Sequence, residues 1–301
     1  MGPTGAGKTP LAVELVKQLP CEIISVDSAM VYRGMDIGTA KPSSDILRLA
    51  PHRLINLLDP KEHYSAGQFH LDALREIGDI IAQKKIPLLV GGTMMYFRTL
   101  QAGIAPLPRR DEKLRQALQE RARQEGWEAL HQALSVIDPE AGNRIHPHDS
   151  QRIQRALEVF MLTGKTISDW QQDTNPLVDY DIINIAIAPA ERASLHDRIG
   201  LRFEQMLEQG FLEEVCRLYG RGDLDSDLPS LRSVGYRQMW DYLSGALSYD
   251  EMREKALAAT RQLAKRQLSW LRSWPNLKWF NSDANDLIQQ VIPVLPVAAD
   301  R

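Results

Sequence analysis

"MGPTGAGKTP", Met1–Pro10, meets the pattern GxxxxGK[ST] at every fixed position: Gly2, Gly7, Lys8 and Thr9. Glycines let successive backbone N–H groups turn inward around phosphate oxygens, and a following helix aims its positive end at them. Gly2, Pro3, Thr4, Gly5, Ala6, Gly7, Lys8 and Thr9 are therefore the phosphate-binding candidates, with the Thr9 hydroxyl placed for Mg²⁺. "PLAVELVKQLP" reads as the helix, since Pro10 falls in its first turn and Pro20 ends it. A buried strand normally precedes such a loop. No residues stand here to form it, so the sheet is expected to lack its central strand.

Further along, Ile23–Val26 is a short apolar run that reads as a buried strand ending at Asp27. Ligands of open α/β sheets bind beyond the carboxyl ends of the strands, so Asp27 is expected to face the same crevice as the loop. It can hold Mg²⁺ through water, accept a proton, or simply cap the next segment. Ser65 with Gln68 three residues on starts a helix carrying Phe69, Ala73, Ile77, Ile80 and Ile81. A second buried strand, Ile86–Val90, runs into Gly91 and Gly92, where a ligand or backbone approaches closely, with the Thr93 hydroxyl beside it. A kinase site more often carries an acidic residue there.

The chain has 301 residues, 44% of them hydrophobic, enough for one large domain or two smaller ones. No apolar run approaches the roughly 20 residues of a membrane span, and no signal-peptide pattern opens the chain. A cytoplasmic protein is expected, read as a monomer. Cys21 and Cys216 lie far apart, outside any metal-ligand spacing. A net charge of −3 gives no global sign of a nucleic-acid partner, which leaves local basic patches to hold one.

From Pro106 to Val178 the texture changes to charged helices, giving expected boundaries of 1–105, 106–178 and 179–301. The fold class is α/β: a parallel sheet flanked by helices, like that of phosphate-loop NTPases, with an all-helical insertion. Within the insertion Asp149 caps a helix whose stripe is Ile153, Leu157, Phe160 and Met161, closed by Gly164. Arg144, Arg152 and Arg155 gather around its start with His146 and His148, a histidine pair lacking a third ligand. Arg198 and Arg202 share a helix face and either clamp a phosphate or pair with acids. Arg232, Tyr236 and Arg237 flank Gly235 and can bring an arginine pair and a ring to a nucleic-acid strand. In "ATRQLAKRQLSWLRSW", Leu257 with Leu263, Ala264, Leu268, Trp270, Leu271 and Trp274 fill one arc, with Arg261, Lys265 and Arg272 along its edge. Backbone phosphates are the natural partner of that edge.

"GPTGAGKT", "ISVDSAMVYRGMDIGTAKP", "LLVGGTMMY", "RIHPHDSQRIQRALEVF", "LPSLRSVGYRQMW" and "TRQLAKRQLSWLR", in this order, resemble the bacterial tRNA dimethylallyltransferases, also called tRNA isopentenyltransferases. The resemblance implies transfer of a five-carbon allyl group from dimethylallyl diphosphate to the exocyclic amine of the adenosine 3′ of the anticodon. It makes Asp27 the general base and sets Asp27, Ser28, Ala29 and Met30 against the target adenosine. It sets Thr4–Thr9 of the loop around the diphosphate, and Lys8, Arg202 and Mg²⁺ at Thr9 would stabilise its departure. It also implies tRNA contacts at Thr93 and Arg115, and at Gln151, Arg152, Ile153, Gln154 and Arg155. Further contacts are implied at Arg232, Ser233, Val234, Gly235, Tyr236 and Arg237, and at Lys265, Arg266, Gln267, Leu268, Ser269, Trp270, Leu271 and Arg272. Met30 stands where many relatives have glutamine, and the zinc finger of eukaryotic relatives is absent from the sequence.

Three competing readings follow from the same residues. A small-molecule kinase with this loop would turn over ATP without RNA. A prenyltransferase of free adenine nucleotides would not need the basic edge. A non-catalytic RNA-binding protein would be indifferent to Asp27 and Lys8.

Overall fold

In the computed structural model, the described residues are 1–172 and 180–295. They fall into two compact units, residues 1–98 with 179–301 and residues 99–178. The first boundary lies inside a helix rather than in the proline-rich stretch after it, where composition changes. The second, placed by sequence at Val178, lies outside the described residues.

The first unit opens with the loop and helix α1 (Lys8–Gln18), capped by Gly7 at φ 78°, a left-handed conformation that glycine adopts without strain. Strand β1 (Cys21–Val26) follows, then α2 (Ser44–Leu49) and the short β2 (His52–Arg53). In α3 (Ala66–Ala82) the Ser65 hydroxyl accepts from the Gln68 N–H, and Phe69, Ala73, Ile77 and Ile80 are buried. Ile81 is exposed instead, turned off the buried arc. β3 (Ile86–Gly91) leads to α4 (Met94–Ala102), which crosses into the second unit.

The second unit is helical: α5 (Glu112–Glu125), α6 (Trp127–Ile137), α7 (Pro139–Arg144), α8 (Ser150–Thr163) and α9 (Ile167–Gln172). Asp149 caps α8 through the Arg152 N–H and Gly164 closes it at φ 70°, while Leu130, Leu134, Ile153 and Leu157 form the centre of the core. Met161 is a correction to the expected stripe. It is 57% exposed, because the buried face of α8 passes through Ile153, Ala156, Leu157 and Val159.

The chain then returns to the first unit through β4 (Asn184–Ala188), α10 (Arg192–Glu208), α11 (Phe211–Tyr219), α12 (Tyr236–Leu243) and α13 (Tyr249–Arg272). β5 (Leu277–Asn281) and α14 (Leu287–Val291) complete it. Tyr32, Met35, Phe211, Leu231, Tyr236, Met239 and Met252 build its largest core. Each such side chain contributes roughly 1.5–3 kcal/mol on leaving water.

All strand pairs are parallel, in two sheets ordered β2-β1-β3 and β4-β5. The expected single sheet is thus divided. Met1 lies along β4: its amino group donates to the Ile185 carbonyl at 2.7 Å and its carbonyl accepts from the Ile187 N–H at 3.0 Å. β3 is half-buried along Ile86–Val90, whereas β1 is almost wholly buried. Among the described residues no helix is long and apolar enough to cross a membrane.

Candidate active site

The front end of the phosphate loop is held by neighbours rather than by a strand of its own. A Cβ on Gly2 would lie 2.6 Å from the Ile187 carbonyl oxygen, so only glycine passes there. The Thr4 N–H donates to Gln267 Oε1 at 2.9 Å, and Gln267 Nε2 donates to the Gly92 carbonyl at 2.9 Å. Gln267 therefore ties the loop to the end of β3 from α13. The two glycines at that end serve close packing. A Cβ on Gly91 would fall 1.9 Å from the Val26 carbonyl oxygen, and one on Gly92 would meet the Gln267 amide at 2.4 Å.

One cavity of about 1530 Å³, formed within the first unit, takes in Gly5, Lys8, Thr9, Asp27, Met30, Gly92, Arg202 and Gln267. Lys8 Nζ donates to the Pro3 carbonyl at 2.8 Å, and burial lowers its pKa to about 8, with Asp27 opposing and Arg202 adding to the shift. Burial likewise lowers the Arg202 pKa, against the attraction of Asp27. Among the described residues Arg202 makes no hydrogen bond or ion pair. Lys8 and Arg202 thus face the cavity with Asp27 as the carboxylate whose charge reaches both, and neither makes an ion pair among the described residues, a setting that suits a phosphate group. Arg198 is not part of this pair, for it bonds the Asp283 carboxylate and the Ser282 hydroxyl.

Asp27 fills the capping role through one of its two oxygens. Oδ1 accepts from the Ala29 N–H at 2.9 Å and the Met30 N–H at 3.3 Å, the capping role. Oδ2 accepts nothing among the described residues, which leaves it open as a proton acceptor or metal ligand. Ser28 is anchored beside it, its N–H donating to Thr93 Oγ1 at 3.1 Å, and Ser25 Oγ donates to the Met30 sulfur at 3.8 Å. Thr9 and Asp27 offer hard oxygen donors at the phosphate loop. This fits Mg²⁺, which takes one or two protein ligands and completes its shell from phosphates and water. No cluster of three or more His, Cys, Asp or Glu able to hold a metal occurs among the described residues, and the His146–His148 pair stays a pair.

The basic segments divide by burial. Arg232 and Arg237 are exposed, with Arg232 on Asp227 at 3.0 Å, and Val234 and Gly235 line the cavity. Ser233 is half-buried beside them. Tyr236 is fully buried and is corrected to a core residue with no surface to offer a nucleic acid. On α13, Lys265, Arg266, Ser269 and Arg272 are exposed, Leu268 and Trp270 are half-buried, and Arg98 lies over the Trp270 ring at 5.8 Å. Leu271 is buried, and Gln267 acts on the loop instead.

In the second unit Gln151 and Arg152 are exposed, whereas Ile153 is wholly buried in the helical core and Gln154 bonds the Arg115 carbonyl at 3.0 Å. Arg115 and Arg155 converge on Glu158, at 3.1 and 2.8 Å. Glu158 escaped the sequence reading, as did Glu214, described below. An acid set among apolar residues of a helix, Glu158 in "ALEVF" and Glu214 in "FLEEV", is the signal that both share.

The model of the IPP transferase family matches residues 30–274. The chain belongs to this family. It is 57% identical over 296 residues to a tRNA dimethylallyltransferase of Coxiella burnetii, covering 98% of each chain. It resembles the full-length tRNA isopentenylpyrophosphate transferase of Bacillus halodurans with 38% identity and a TM-score of 0.71, over 96% of this chain and 92% of that one. A eukaryotic dimethylallyltransferase acting on tRNA gives a TM-score of 0.83 at 25% identity, over all of this chain and 80% of that one. The family match and these relatives leave the kinase reading unsupported.

Proposed function

We propose that the chain transfers the dimethylallyl group of dimethylallyl diphosphate to the exocyclic amine of the adenosine 3′ of the anticodon in tRNA. Family membership and the names of its relatives support the reaction class. The observation that carries the assignment of this cavity is the meeting of Lys8, the unpaired Arg202 and the open Oδ2 of Asp27. The architecture is read as that of a phosphate-loop NTPase put to a different use.

The amine lone pair forms the new C–N bond as the allylic C–O bond breaks, and that electron pair leaves with the diphosphate. Lys8, Arg202 and the N–H groups of the loop stabilise the charge that builds there. Thr4 lends its side chain and position only, because its N–H is engaged by Gln267. The amine of adenine is a weak nucleophile, since its lone pair is delocalised into the ring. Asp27 Oδ2 takes its proton as the bond forms. Mg²⁺ on Thr9 and the diphosphate would supply further charge neutralisation. The base must leave its stack to enter, at a cost of a few kcal/mol that is smallest in a loop.

Nucleoside mass spectrometry of unmodified tRNA incubated with the protein, Mg²⁺ and dimethylallyl diphosphate tests the proposal. The expected product is one adenosine per anticodon loop heavier by C₅H₈. A folded protein that yields none, and releases no diphosphate, would defeat it.

A further inference from the structure

Glu214 on α11 is 2% exposed, and among the described residues no cation pairs with it. Its Oε2 accepts from the N–H groups of Asp36 and Ile37, both at 2.8 Å. Its Oε1 accepts from the Gly38 N–H at 3.2 Å and from the Tyr236 hydroxyl. Burial and the Glu214 charge raise the Tyr236 pKa, which keeps the phenol a donor. Four donors on two oxygens stabilise a carboxylate that burial would otherwise penalise by several kcal/mol.

The groups that it grips are parts of the cavity. Residues from Asp36 to Lys41 line one wall, and Phe211 and Gly235 continue it. The strip lies flat on two rings: a Cβ at Gly38 would sit 2.1 Å from Phe211 and 2.6 Å from Tyr236, whose rings meet edge to face with centroids 5.1 Å apart. At the strip's end Lys41 Nζ donates to the Tyr32 carbonyl, Asp36 Oδ1 and Asn56 Oδ1, at 2.6–2.8 Å. The loop from Asp27 to Lys41 thus hangs from β1 at one end and from Glu214 near the other. Tyr236 is the first residue of α12, directly after Gly235 at φ 91° and beside the exposed Arg237. One carboxylate therefore sets both the cavity wall and the start of α12.

We infer that Glu214 is a positioning residue for the transfer: it holds the wall 36–41 and the segment 232–237 in one register, so that the target nucleoside meets Asp27 in reactive geometry. The inference rests on the function proposed above. The loop Gly2–Thr9 is held by β4 and Gln267, and so lies outside the influence of Glu214.

Glu214→Gln replaces one acceptor by a donor at nearly constant volume. Steady-state kinetics should show kcat with tRNA lowered at least tenfold, while KM for dimethylallyl diphosphate stays within twofold. Hydrogen exchange at the amides of residues 36–38 should accelerate in the same variant. Tyr236→Phe, which removes one of the four donors, should lower kcat by a smaller factor. A Glu214→Gln protein that melts at lower temperature yet keeps kcat and both KM values within twofold overturns the inference, as its role is then structural alone. Should that variant not fold, an unchanged kcat in Tyr236→Phe overturns it. A wild-type protein without product defeats the functional reading first, and the inference falls with it.

Discussion

Lys8 shows how a single residue converts burial into chemistry. Its ammonium has lost much of its water, and the pKa falls from 10.5 to about 8. In the free protein the charge is therefore half lost at about pH 8, nearly full a unit below it, and lost as pH rises further. Calorimetric titration with dimethylallyl diphosphate should show affinity falling above pH 8, by up to tenfold per unit. Lys8→Ala should bind weakly with no such inflection. The same shift acts on stability in the opposite sense: between 8 and 10.5 the unfolded chain keeps a proton that the folded one releases, so stability rises with pH there. A ligand-free melt rising over that window and a binding constant falling over it would have one source. Binding that stays flat to pH 9.5 would show that Lys8 is not the group that meets the diphosphate.

At the scale of elements, Glu158 organises the second unit much as Glu214 does the first, but with arginines. It is wholly buried, and despite the cost of burial the bonds from Arg155, the Asp111 N–H and Arg115 hold its pKa below the ordinary 4.5. Its stabilisation is present above pH 4.5 and is lost as pH falls through the depressed value. Glu158→Ala, which leaves two arginines facing an empty site, should destabilise the protein by about 3–5 kcal/mol in urea unfolding at pH 7. The difference from the wild type should shrink in acid. The elements themselves were largely legible. Gly7, Ser65, Asp149 and Gly164 mark helix ends through local hydrogen bonding and left-handed backbone, both of which leave a trace in the sequence. Lys8, Thr9 and Asp27 were legible because a phosphate loop and a strand end each fix where a side chain faces. The roles of Gln267 and Glu214 were not, since the backbone groups that they hold lie more than 170 residues away in the chain, and only folding brings them together. Tyr236, Ile153 and Leu271 misled for a related reason: helices that carry basic residues on one face bury their neighbours on the other.

For the molecule as a whole, a net charge of −3 has to coexist with the tRNA substrate proposed above, a polyanion. Long-range attraction is therefore weak at the salt of a cell, where charges more than roughly 8 Å apart are screened, and binding falls to local cations. Lys265, Arg266 and Arg272 are exposed on α13, while on the same helix Gln267 reaches inward to the phosphate loop. Turnover and RNA affinity should accordingly separate. Asp27→Ala should abolish product while leaving tRNA affinity within about twofold, because the proton acceptor proposed here contributes to the reacting bond rather than to the docked complex. Lys265→Ala should weaken tRNA binding and lower the slope of log affinity against log salt by about one, the signature of one lost phosphate contact. Filter-binding isotherms at a series of salt concentrations, run on both variants, measure the two effects on one scale. If Asp27→Ala also flattened the salt slope, the carboxylate would be shaping the electrostatic surface of the complex, and the division between a catalytic cavity and a basic docking helix would have to be given up.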